Sequence, residues 1–496
     1  MQPHNRIPRS TLTIILIALL ISGLSCQWLT QDLMPAPPAD EPPAEETAPP
    51  AEPPAPAGTQ APVLDTSALN AEGPWLLIET PEGLWAANQD GTGMTQLTEV
   101  DYWGEDLEWA VQPGGDLVAF LSPVDSYHHM ALNLLSLPDG TVTKVTDLTS
   151  LETEAYADLG PGEPGFEALR AIEYNRPVWS PDGTRLAFIG LMDGPSAEVY
   201  LYTVASGEVK RVSQDEAQNY LVSWSPDGAQ LLYFGADGFG TGAGFDTTGV
   251  WSARGDGTSV TWLYVPKGGA EELVGWLDAT TAVMDTWTPV CGSEKLRLFD
   301  IVSTQTVMLD EGCFISATAI SWEYGAALFA NNDGLYRLRT DDRSPVLLST
   351  DPVARIDPWK PGASTFTVRF ENGEVATYGN VSSKYTDLQY QVSPINASAG
   401  NIEVAEYGVI WAWTSSDANQ PGAWITGPGV EIGQIYPGEA VAPIWDADNN
   451  LLFFTPQEGG GYRIYRTTFE TFYRDLNEVG ALEAGFIRSM AWLEGR

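Results

Sequence analysis

Histidine and cysteine are scarce in this sequence. The 496 residues include three His (His4, His128 and His129) and three Cys (Cys26, Cys291 and Cys313). Three Cys are too few for a disulfide-dense scaffold or for a four-cysteine zinc site. Two of the His are adjacent and the third lies near the start of the chain, so His-based catalysis is not expected.

Basic residues are scarce as well, because 24 Lys and Arg stand against 66 Asp and Glu and the formal net charge is -42. This charge argues against non-specific binding to nucleic acid and against attraction to an anionic lipid surface. The glycine-rich segment 235–249 has no GxxxxGK motif and no basic residue that would meet a phosphate. The sequence also has no GxSxG nucleophile elbow.

The apolar run at the start of the chain is short. Thr11 to Leu24 is a largely apolar run of 14 residues that follows Arg6 and Arg9 and precedes Cys26. A run of this length is too short to span a bilayer comfortably, which favours a processed export signal over residues 1–26. The arrangement resembles a bacterial lipoprotein signal, which implies that Cys26 is acylated. An uncleaved signal anchor is the alternative, and it leaves the chain on the same side of the membrane.

Residues 27–70 form a second compositional unit. They contain no Lys or Arg and seven acidic residues, and 11 prolines occur within the 28 residues from Pro35 to Pro62. Such a segment cannot bury enough apolar surface to offset the entropy lost on ordering. We therefore expect a disordered, polyproline-like linker that holds residues 71–496 away from the membrane.

Aromatic residues and glycine are abundant, and they recur in a repeat. The segment Trp179-Ser180-Pro181-Asp182-Gly183 is followed 45 residues later by Trp224-Ser225-Pro226-Asp227-Gly228. Pro sets the first central position of a tight turn, Asp caps it and Gly accepts a positive φ, so each segment predicts a strand, a turn and a return strand. Weaker copies occur at Trp109, Trp276, Trp322, Trp359 and Trp445.

A second motif follows the clearer copies, in which a strand ends in a DGT-type glycine turn and the next strand ends in Leu or Val with Ser or Thr. Examples are Asp90-Gly91-Thr92 with Leu97-Thr98, and Asp139-Gly140-Thr141 with Val145-Thr146. Four short strands in each unit of about 40 to 50 residues are typical of a propeller blade. The sequence therefore predicts an all-β fold with a single β-propeller over residues 71–496.

The WSPDG segments followed by DGT turns resemble the TolB-like branch of the WD-repeat-like propellers, and the same repeats occur in the propeller domains of some serine peptidases. The resemblance implies a bacterial envelope scaffold.

We expect about eight four-stranded blades, within a range of seven to nine, because the degenerate unit at 402–437 could be either a blade or an insertion. Residues 75–98 supply only three strands. The C-terminal segment 486–493 has the pattern of the missing strand, and we predict that it closes the ring beside residues 75–78.

Long connections occur at one face of the predicted disc, within segments 122–132, 150–173, 235–249, 285–294 and 415–422. Long loops commonly carry binding or catalysis, so this long-loop face is the predicted working surface. Its acidic and aromatic residues form the candidate ligand-binding set, although the aromatic residues could instead anchor the loops: Asp125, Tyr127, His128, His129, Tyr156, Asp158, Phe239, Phe245, Asp246 and Trp287.

The remaining candidate residues offer poor metal sites and one expected disulfide. Adjacent strand residues point to opposite faces, so His128 and His129 make a poor metal site. The segment 446–450 has alternating oxygen ligands but lacks the Gly and terminal Glu of a calcium loop, which favours a blade turn. In an exported chain Cys291 and Cys313 are expected to pair, and two buried free thiols are the alternative.

These observations lead to one functional hypothesis and one alternative. We expect a non-catalytic, lipid-anchored propeller on the extracytoplasmic face of the cell membrane, monomeric, which binds a protein or an envelope polymer. The alternative is a divalent-metal-dependent, most plausibly calcium-dependent, hydrolase or lyase that uses central carboxylates. No cofactor is expected for the first hypothesis, and no catalytic residue is identified for either.

Overall fold

The structure is a computed structural model. It describes residues 64–97, 109–126, 129–149, 164–173, 175–194, 196–214, 217–236, 247–266, 270–288, 292–311, 317–341, 343–357, 365–379, 389–391, 399–405, 410–415, 419, 421–427 and 430–495.

The described residues form nine four-stranded antiparallel sheets, which we number as blades, and one helix, α1 (Pro164–Glu173). Blade 1 contains β1 (Trp75–Thr80), β2 (Gly83–Asn88), β3 (Thr95–Gln96) and the C-terminal strand β36 (Ser489–Leu493). Blade 2 contains β4 (Trp109–Val111), β5 (Leu117–Ser126), β6 (His129–Ser136) and β7 (Thr141–Asp147). Blade 3 contains β8 (Val178–Trp179), β9 (Arg185–Gly190), β10 (Glu198–Thr203) and β11 (Glu208–Arg211).

Blades 4 to 6 follow the same order along the chain. Blade 4 contains β12 (Gln218–Trp224), β13 (Gln230–Ala236), β14 (Thr247–Arg254) and β15 (Thr261–Tyr264). Blade 5 contains β16 (Ala270–Trp276), β17 (Thr281–Thr288), β18 (Gly292–Asp300) and β19 (Thr306–Glu311). Blade 6 contains β20 (Ala317–Ser321), β21 (Ala326–Asn331), β22 (Gly334–Arg339) and β23 (Val346–Ser349).

Blades 7 to 9 complete the set. Blade 7 contains β24 (Val353–Ile356), β25 (Thr365–Phe370), β26 (Val375–Gly379) and β27 (Gln389–Gln391). Blade 8 contains β28 (Ala399–Val404), β29 (Trp411–Ser415), β30 (Gly422–Gly427) and β31 (Val430–Tyr436). Blade 9 contains β32 (Val441–Trp445), β33 (Leu451–Pro456), β34 (Tyr462–Thr467) and β35 (Asn477–Leu482).

The blades bury both faces of their middle strands. All six residues of β1 are buried, and so are the first five of β33, Leu451 to Thr455. Strands with both faces covered lose the apolar–polar alternation of a surface sheet and become continuous apolar runs. This burial explains why the aromatic and aliphatic content of the sequence is high while its charged content is only 18%.

The WSPDG segments form the predicted turns. The Ser180 Oγ donates to Asp182 Oδ1 at 2.6 Å, and the same Asp182 oxygen accepts from the backbone N–H of Thr184 at 3.0 Å. Gly183 has a φ of +67°, a conformation that favours glycine. The second copy repeats these bonds, since Ser225 Oγ donates to Asp227 Oδ1 at 2.7 Å. The motif is therefore a self-contained turn whose polar groups bond to one another.

The tryptophans at the ends of the first strands join neighbouring blades through their indole N–H groups. These bonds run from Trp179 Nε1 to the Ala110 carbonyl at 3.1 Å, from Trp224 Nε1 to the Val178 carbonyl at 3.0 Å, and from Trp276 Nε1 to Ser223 Oγ at 3.1 Å. Each of these indoles is almost fully buried. The repeated Trp therefore acts as a wedge that carries one hydrogen bond to the preceding blade.

The structure has nine blades, which is one more than the expected eight and the upper limit of the expected range. The degenerate unit is a complete blade rather than an insertion, because residues 399–436 form the four strands of blade 8. Blade 1 has three strands from the start of the propeller, and β36 supplies the fourth by pairing with β1, with Trp75 opposite Leu493 and Ile78 opposite Met490. This is the strand pairing that the C-terminal pattern predicts.

Blade 9 and blade 1 are joined in the same way as blades 3 to 5. The Trp492 Nε1 of β36 donates to the Trp445 carbonyl of β32 at 2.7 Å. Leu76 and Ile78 of β1 share a buried apolar cluster with Leu452 and Phe454 of β33. The last strand of the chain therefore holds the first and the last blade together.

The segment 64–70, which the composition places at the end of the linker, contacts blades 1 and 2. The backbone N–H of Leu64 donates to the Gly140 carbonyl at 2.8 Å, and Trp75 Nε1 donates to the Asn70 carbonyl at 3.0 Å.

Deletion of residues 486–496 is expected to lower the thermal midpoint and to cause aggregation, because it exposes the edge of β1 and removes the bond from Trp492 to blade 9. Circular dichroism melting and light scattering of the full-length and truncated chains measure the effect. A truncated chain that melts cooperatively and stays soluble would show that β36 is dispensable.

Candidate functional site

A cavity of about 470 Å³ lies between the first strands of blades 3 to 6. It opens where these strands meet their first turns, which is the face of the PDG and DGT turns; we call it the short-turn face. The described residues that line the cavity are four tryptophans and apolar or small residues: Val178, Trp179, Pro181, Ser223, Trp224, Pro226, Val274, Gly275, Trp276, Thr318, Ala319, Ile320 and Trp322. We call it the tryptophan pocket.

One of its tryptophans is exposed because its position in the repeat is shifted by a single residue. In blades 3 to 5 the Trp is the last residue of the first strand, whereas in blade 6 Ser321 ends β20 and Trp322 begins the turn. Side chains alternate in direction along a strand, so a shift of one residue reverses the direction in which a side chain points. Trp322 is 45% exposed, whereas Trp276 is 6% exposed.

The pocket has the chemistry of a binding site. None of the thirteen described lining residues is ionisable, and its polar side chains include the hydroxyl groups of Ser223 and Thr318. A volume of about 470 Å³ falls in the usual range for small-ligand pockets. Such a pocket accepts an apolar or aromatic group and supplies neither a general acid nor a general base at its walls.

A loop on blade 9 presents two more aromatic side chains on the short-turn face. Phe469 and Phe472 lie in the connection between β34 and β35, are 47% and 61% exposed, and have ring centroids 6.0 Å apart. Phe472 and Tyr473 both have positive φ angles, of +52° and +57°. Such angles are unfavourable for residues with a Cβ, so the surrounding contacts must hold this loop in place.

Those contacts come from one carboxylate and one buried ring. Asp475 accepts hydrogen bonds from the backbone N–H of Thr468 at 3.2 Å and from the hydroxyl of Thr471. Burial alone would raise the pKa of Asp475, but the hydrogen bonds from Thr471 and Thr468 lower it. The Tyr473 hydroxyl donates to the Asn449 carbonyl at 3.1 Å and its ring packs edge-on against Trp445. The loop is therefore built to hold the two Phe rings in solvent.

The first strand of blade 5, which forms one wall of the pocket, also carries a buried ion pair. Glu271 contacts the Arg297 guanidinium and accepts from the Thr286 hydroxyl at 2.9 Å and from the Tyr264 hydroxyl at 3.2 Å. Burial raises the pKa of Tyr264 above its usual range, and the Glu271 carboxylate adds to this rise. All of these groups pack toward blade 4, so the network joins two blades and is structural.

The structure places three residues of the candidate ligand-binding set. His129 begins β6 in blade 2, with Nε2 3.6 Å from Asp147 Oδ1, and Trp287 is half-buried in β17 of blade 5. Asp125 lies in β5. His129 and Trp287 are three blades apart, so they do not form one site. The other members lie outside the described residues: Tyr127, His128, Tyr156, Asp158, Phe239, Phe245 and Asp246.

Two of the expected loop insertions are mostly strand. In segment 122–132, Ser122 pairs with Ala131 and Pro123 pairs with Met130 across β5 and β6. In segment 285–294, Asp285 pairs with Leu296 and Trp287 pairs with Ser293 across β17 and β18. Cys26, Cys291 and Cys313 lie outside the described residues.

The segment 446–450 is a blade turn, as the sequence pattern favours. Asp446 Oδ1 accepts from the backbone N–H groups of Asp448 at 3.0 Å and Asn450 at 2.7 Å, and Asp446 Oδ2 accepts from the Asn450 amide at 2.9 Å. Both carboxylate oxygens of Asp446 are therefore used within the turn. Within the described residues there is no cluster of three or more His, Cys, Asp or Glu that could hold a metal.

Sequence reasoning missed the tryptophan pocket, although one signal was present. The copies read Trp-Ser-Pro-Asp-Gly in blades 3 and 4 but Ser-Trp-Glu-Tyr-Gly at residues 321–325. This reversal of Ser and Trp is the shift that exposes Trp322. The reversal predicts exposure of the Trp only when it is known that the strand ends at Ser321.

The comparisons with known proteins agree with this architecture. No protein-family model matches the chain. A stretch of 108 residues, 20% of this chain, is 32% identical to the Tol-Pal system protein TolB of Alcanivorax borkumensis and covers 24% of that protein. A stretch of 56 residues, 11% of this chain, is 38% identical to the uncharacterized peptidase YuxL of Bacillus subtilis and covers 8% of it. The chain thus spans a quarter or less of the length of these curated relatives.

Among solved structures, this chain is similar to one described as the crystal structure of the eukaryotic initiation factor. The TM-score is 0.52 and the sequence identity is 11%, and the match covers 85% of this chain and 99% of that chain. TolB from Acinetobacter baumannii is similar with a TM-score of 0.31 at 18% identity, over 55% of this chain and 62% of that chain.

The nine four-stranded sheets of the described residues define this protein as a β-propeller. The local identity to TolB and the WSPDG turns make it a TolB-like β-propeller, which confirms the resemblance found in the sequence. In the described residues no helix has the length and apolar character needed to cross a membrane.

Substitution of Trp322 by Ala is expected to lower the free energy of unfolding by less than about 1 kcal/mol, because nearly half of the side chain is already in solvent. The matched Trp276→Ala variant removes a buried wedge and its hydrogen bond, and is expected to cost about 3–5 kcal/mol. Chemical denaturation of the two variants provides the comparison. Equal losses would mean that Trp322 is a packing residue and not part of a binding surface.

Proposed function

We propose that this protein is an extracytoplasmic, membrane-anchored β-propeller scaffold, and that it binds a protein partner of the cell envelope through its short-turn face. The observation that carries the proposal is the tryptophan pocket with Trp322 exposed at its mouth. Aromatic side chains that are rigidly held and partly exposed are typical of protein-binding surfaces. The proposal takes the nine blades as a closed ring.

The Phe pair on blade 9 supports the same face. Phe469 and Phe472 project from the third-to-fourth connection of their blade, which lies at the same end of the strands as the first turn that holds Trp322. Two exposed Phe on a strained loop are unfavourable for solubility and for backbone energy. A partner that covers them explains why two Phe are exposed in a loop that also contains Thr468, Glu470 and Arg474. This proposal moves the working surface from the long-loop face to the short-turn face.

The leader and the linker support an envelope location. The basic start, the short apolar run and Cys26 suit a lipid anchor, and the proline-rich linker suits a spacer between the membrane and the propeller. The local relative TolB is named as a protein of the Tol-Pal system. The partner here is proposed only by its chemistry, as a polypeptide or envelope polymer with apolar groups that fit the pocket.

The binding face is tested by placing the photo-crosslinker benzoyl-phenylalanine at position 322, in the full-length chain in its own cells. The matched control position is Asn332, which is exposed on the opposite end of the same blade, between β21 and β22. We expect light-dependent adducts with an envelope component from position 322 and none from position 332. Adducts from position 332 alone would assign binding to the long-loop face.

The same cells test the anchor. The unmodified chain is expected in the membrane fraction, and the Cys26→Ser chain is expected in precursor form or, if cleaved, in the soluble fraction. A Cys26→Ser chain with the same size and the same fractionation as the unmodified chain would favour an uncleaved signal anchor.

The alternative function is a divalent-metal-dependent hydrolase or lyase with central carboxylates. One observation favours it, because Glu272 on β16 is exposed on the first strand of blade 5, opposite the carboxylate of Asp285.

Thermal melting of the full-length chain in EDTA and in millimolar calcium, magnesium or manganese separates the two functions. A native-state ligand raises the midpoint by mass action. The scaffold proposal expects the same midpoint in every condition, because the described residues contain no group of three or more His, Cys, Asp or Glu that could hold a metal. A saturable shift with one metal would favour the enzyme.

A further inference from the structure

Glu272 and Asp285 form an acidic pair beside the tryptophan pocket. They are directly opposite each other on β16 and β17, so their side chains share one face of blade 5. Glu272 lies two residues before Val274, which lines the pocket, and both residues are exposed on the first strand. Asp285 is only 8% exposed. The pair thus lies beside the pocket on the same blade, toward the end of β16 that is opposite the first turn.

The pair differs from its neighbour Glu271 in that no ion pair within the described residues neutralises it, although the charge of Arg297 and hydrogen bonds from Ser293 and the backbone favour the charged form of Asp285. Glu271 has Arg297, Thr286 and Tyr264 as partners, as described above. Among the described residues no hydrogen bond or ion pair reaches the Glu272 carboxylate. The Asp285 Oδ1 atom is buried without a hydrogen-bond partner within the same part of the chain. A buried carboxylate oxygen without a partner is costly, and it marks a place where a ligand donor would be favourable.

The electrostatics agree with the geometry. Partial burial raises the pKa of Glu272, and the negative charge of Asp285 raises it further. Burial also raises the pKa of Asp285, although hydrogen bonds from Ser293 and from the backbone oppose the rise. Both shifts mean that negative charge at this position is unfavourable until a cation compensates it.

We propose that the tryptophan pocket and Glu272 together bind one long basic side chain, Lys or Arg, of a partner polypeptide. The inference rests on the proposed function and names the residue that the pocket recognises. The apolar stem of Lys or Arg lies against Val274, Ile320 and Trp322, and the cationic head reaches Glu272. Two residues along a strand span roughly 6.6 Å, which an extended Lys or Arg side chain covers.

Charge complementarity favours this ligand class over an uncharged one. The chain has a net charge of -42, so its field attracts cationic segments and repels acidic ones. The exposed indole of Trp322 adds a cation–π surface at the mouth of the pocket. An uncharged apolar side chain would use the walls of the pocket but would leave Glu272 and Asp285 uncompensated.

Four synthetic peptides, Ac-Gly-Pro-Xaa-Pro-Gly-NH2 with Lys, Arg, norleucine or Glu as Xaa, test the proposal by calorimetric titration into the full-length protein in EDTA. The Lys and Arg peptides are expected to bind at least about tenfold more tightly than the norleucine peptide, because a close charge pair adds to the same apolar contacts. The Glu peptide is expected to bind most weakly. Norleucine has the length of the Lys stem without its charge, so the ratio isolates the contribution of the cation.

Three variants test which residues produce the preference for the Lys peptide over the norleucine peptide. Glu272→Gln should reduce the ratio between Lys and norleucine to about one while the norleucine affinity stays the same, and Glu272→Lys should reverse the preference toward the Glu peptide. Trp322→Ala should weaken the binding of the Lys, Arg and norleucine peptides to a similar extent. Glu470→Gln is the matched control, because it removes one exposed carboxylate from the same face at blade 9, and it should leave the ratio unchanged.

The outcomes separate the inference from the proposed function. Equal binding of the Lys and norleucine peptides would overturn the inference and leave apolar binding at the pocket in place. No binding of any peptide would overturn both. A calcium-dependent rise in thermal midpoint that is lost in Glu272→Gln would assign the acidic pair to a metal and would also overturn the inference.

Discussion

The structure depends on one repeated interaction, the buried indole that ends the first strand of a blade and donates its N–H to the blade before it. Blades contact one another only through their faces, so the stability of a propeller depends on how well each seam is filled. A Trp fills the most volume of any side chain and satisfies its one donor across the seam. The same bond occurs between blades 3, 4 and 5 and again from Trp492 to blade 9.

In blade 6 this interaction is interrupted, and an aromatic side chain becomes exposed at the tryptophan pocket. The Trp of this blade has moved from the end of the strand to the turn, and its indole is 45% exposed at the cavity that the three buried tryptophans also line. This shift exposes an aromatic surface while the apolar cluster between blades 5 and 6 stays buried. Local departures from a repeat that stabilises the rest of a fold are where function is commonly found.

The adjacent residues Glu271 and Glu272 show that two carboxylates on one strand can have different surroundings. Glu271 and Glu272 point to opposite faces of blade 5 because side chains alternate along β16. Glu271 meets Arg297 and Tyr264 in the seam with blade 4, whereas Glu272 faces away from them. Two adjacent Glu residues therefore have different roles. The role of each depends on the face of blade 5 to which its side chain points.

The sequence by itself determined the fold class, the tight turns and the pairing of β36 with β1, because these depend on local spacing and turn chemistry. It left the number of blades open, since residues 399–436 have lost the turn residues that mark a blade and only their strand pairing reveals one. The observations that support the proposed short-turn binding surface come from the tertiary structure alone. Composition placed the binding surface on long loops, but the exposure of Trp322 and the partners of Glu271 and Glu272 depend on which blades face each other. Such contacts join different strands and blades, as the 26 positions between Glu271 and Arg297 show, and no local pattern encodes them.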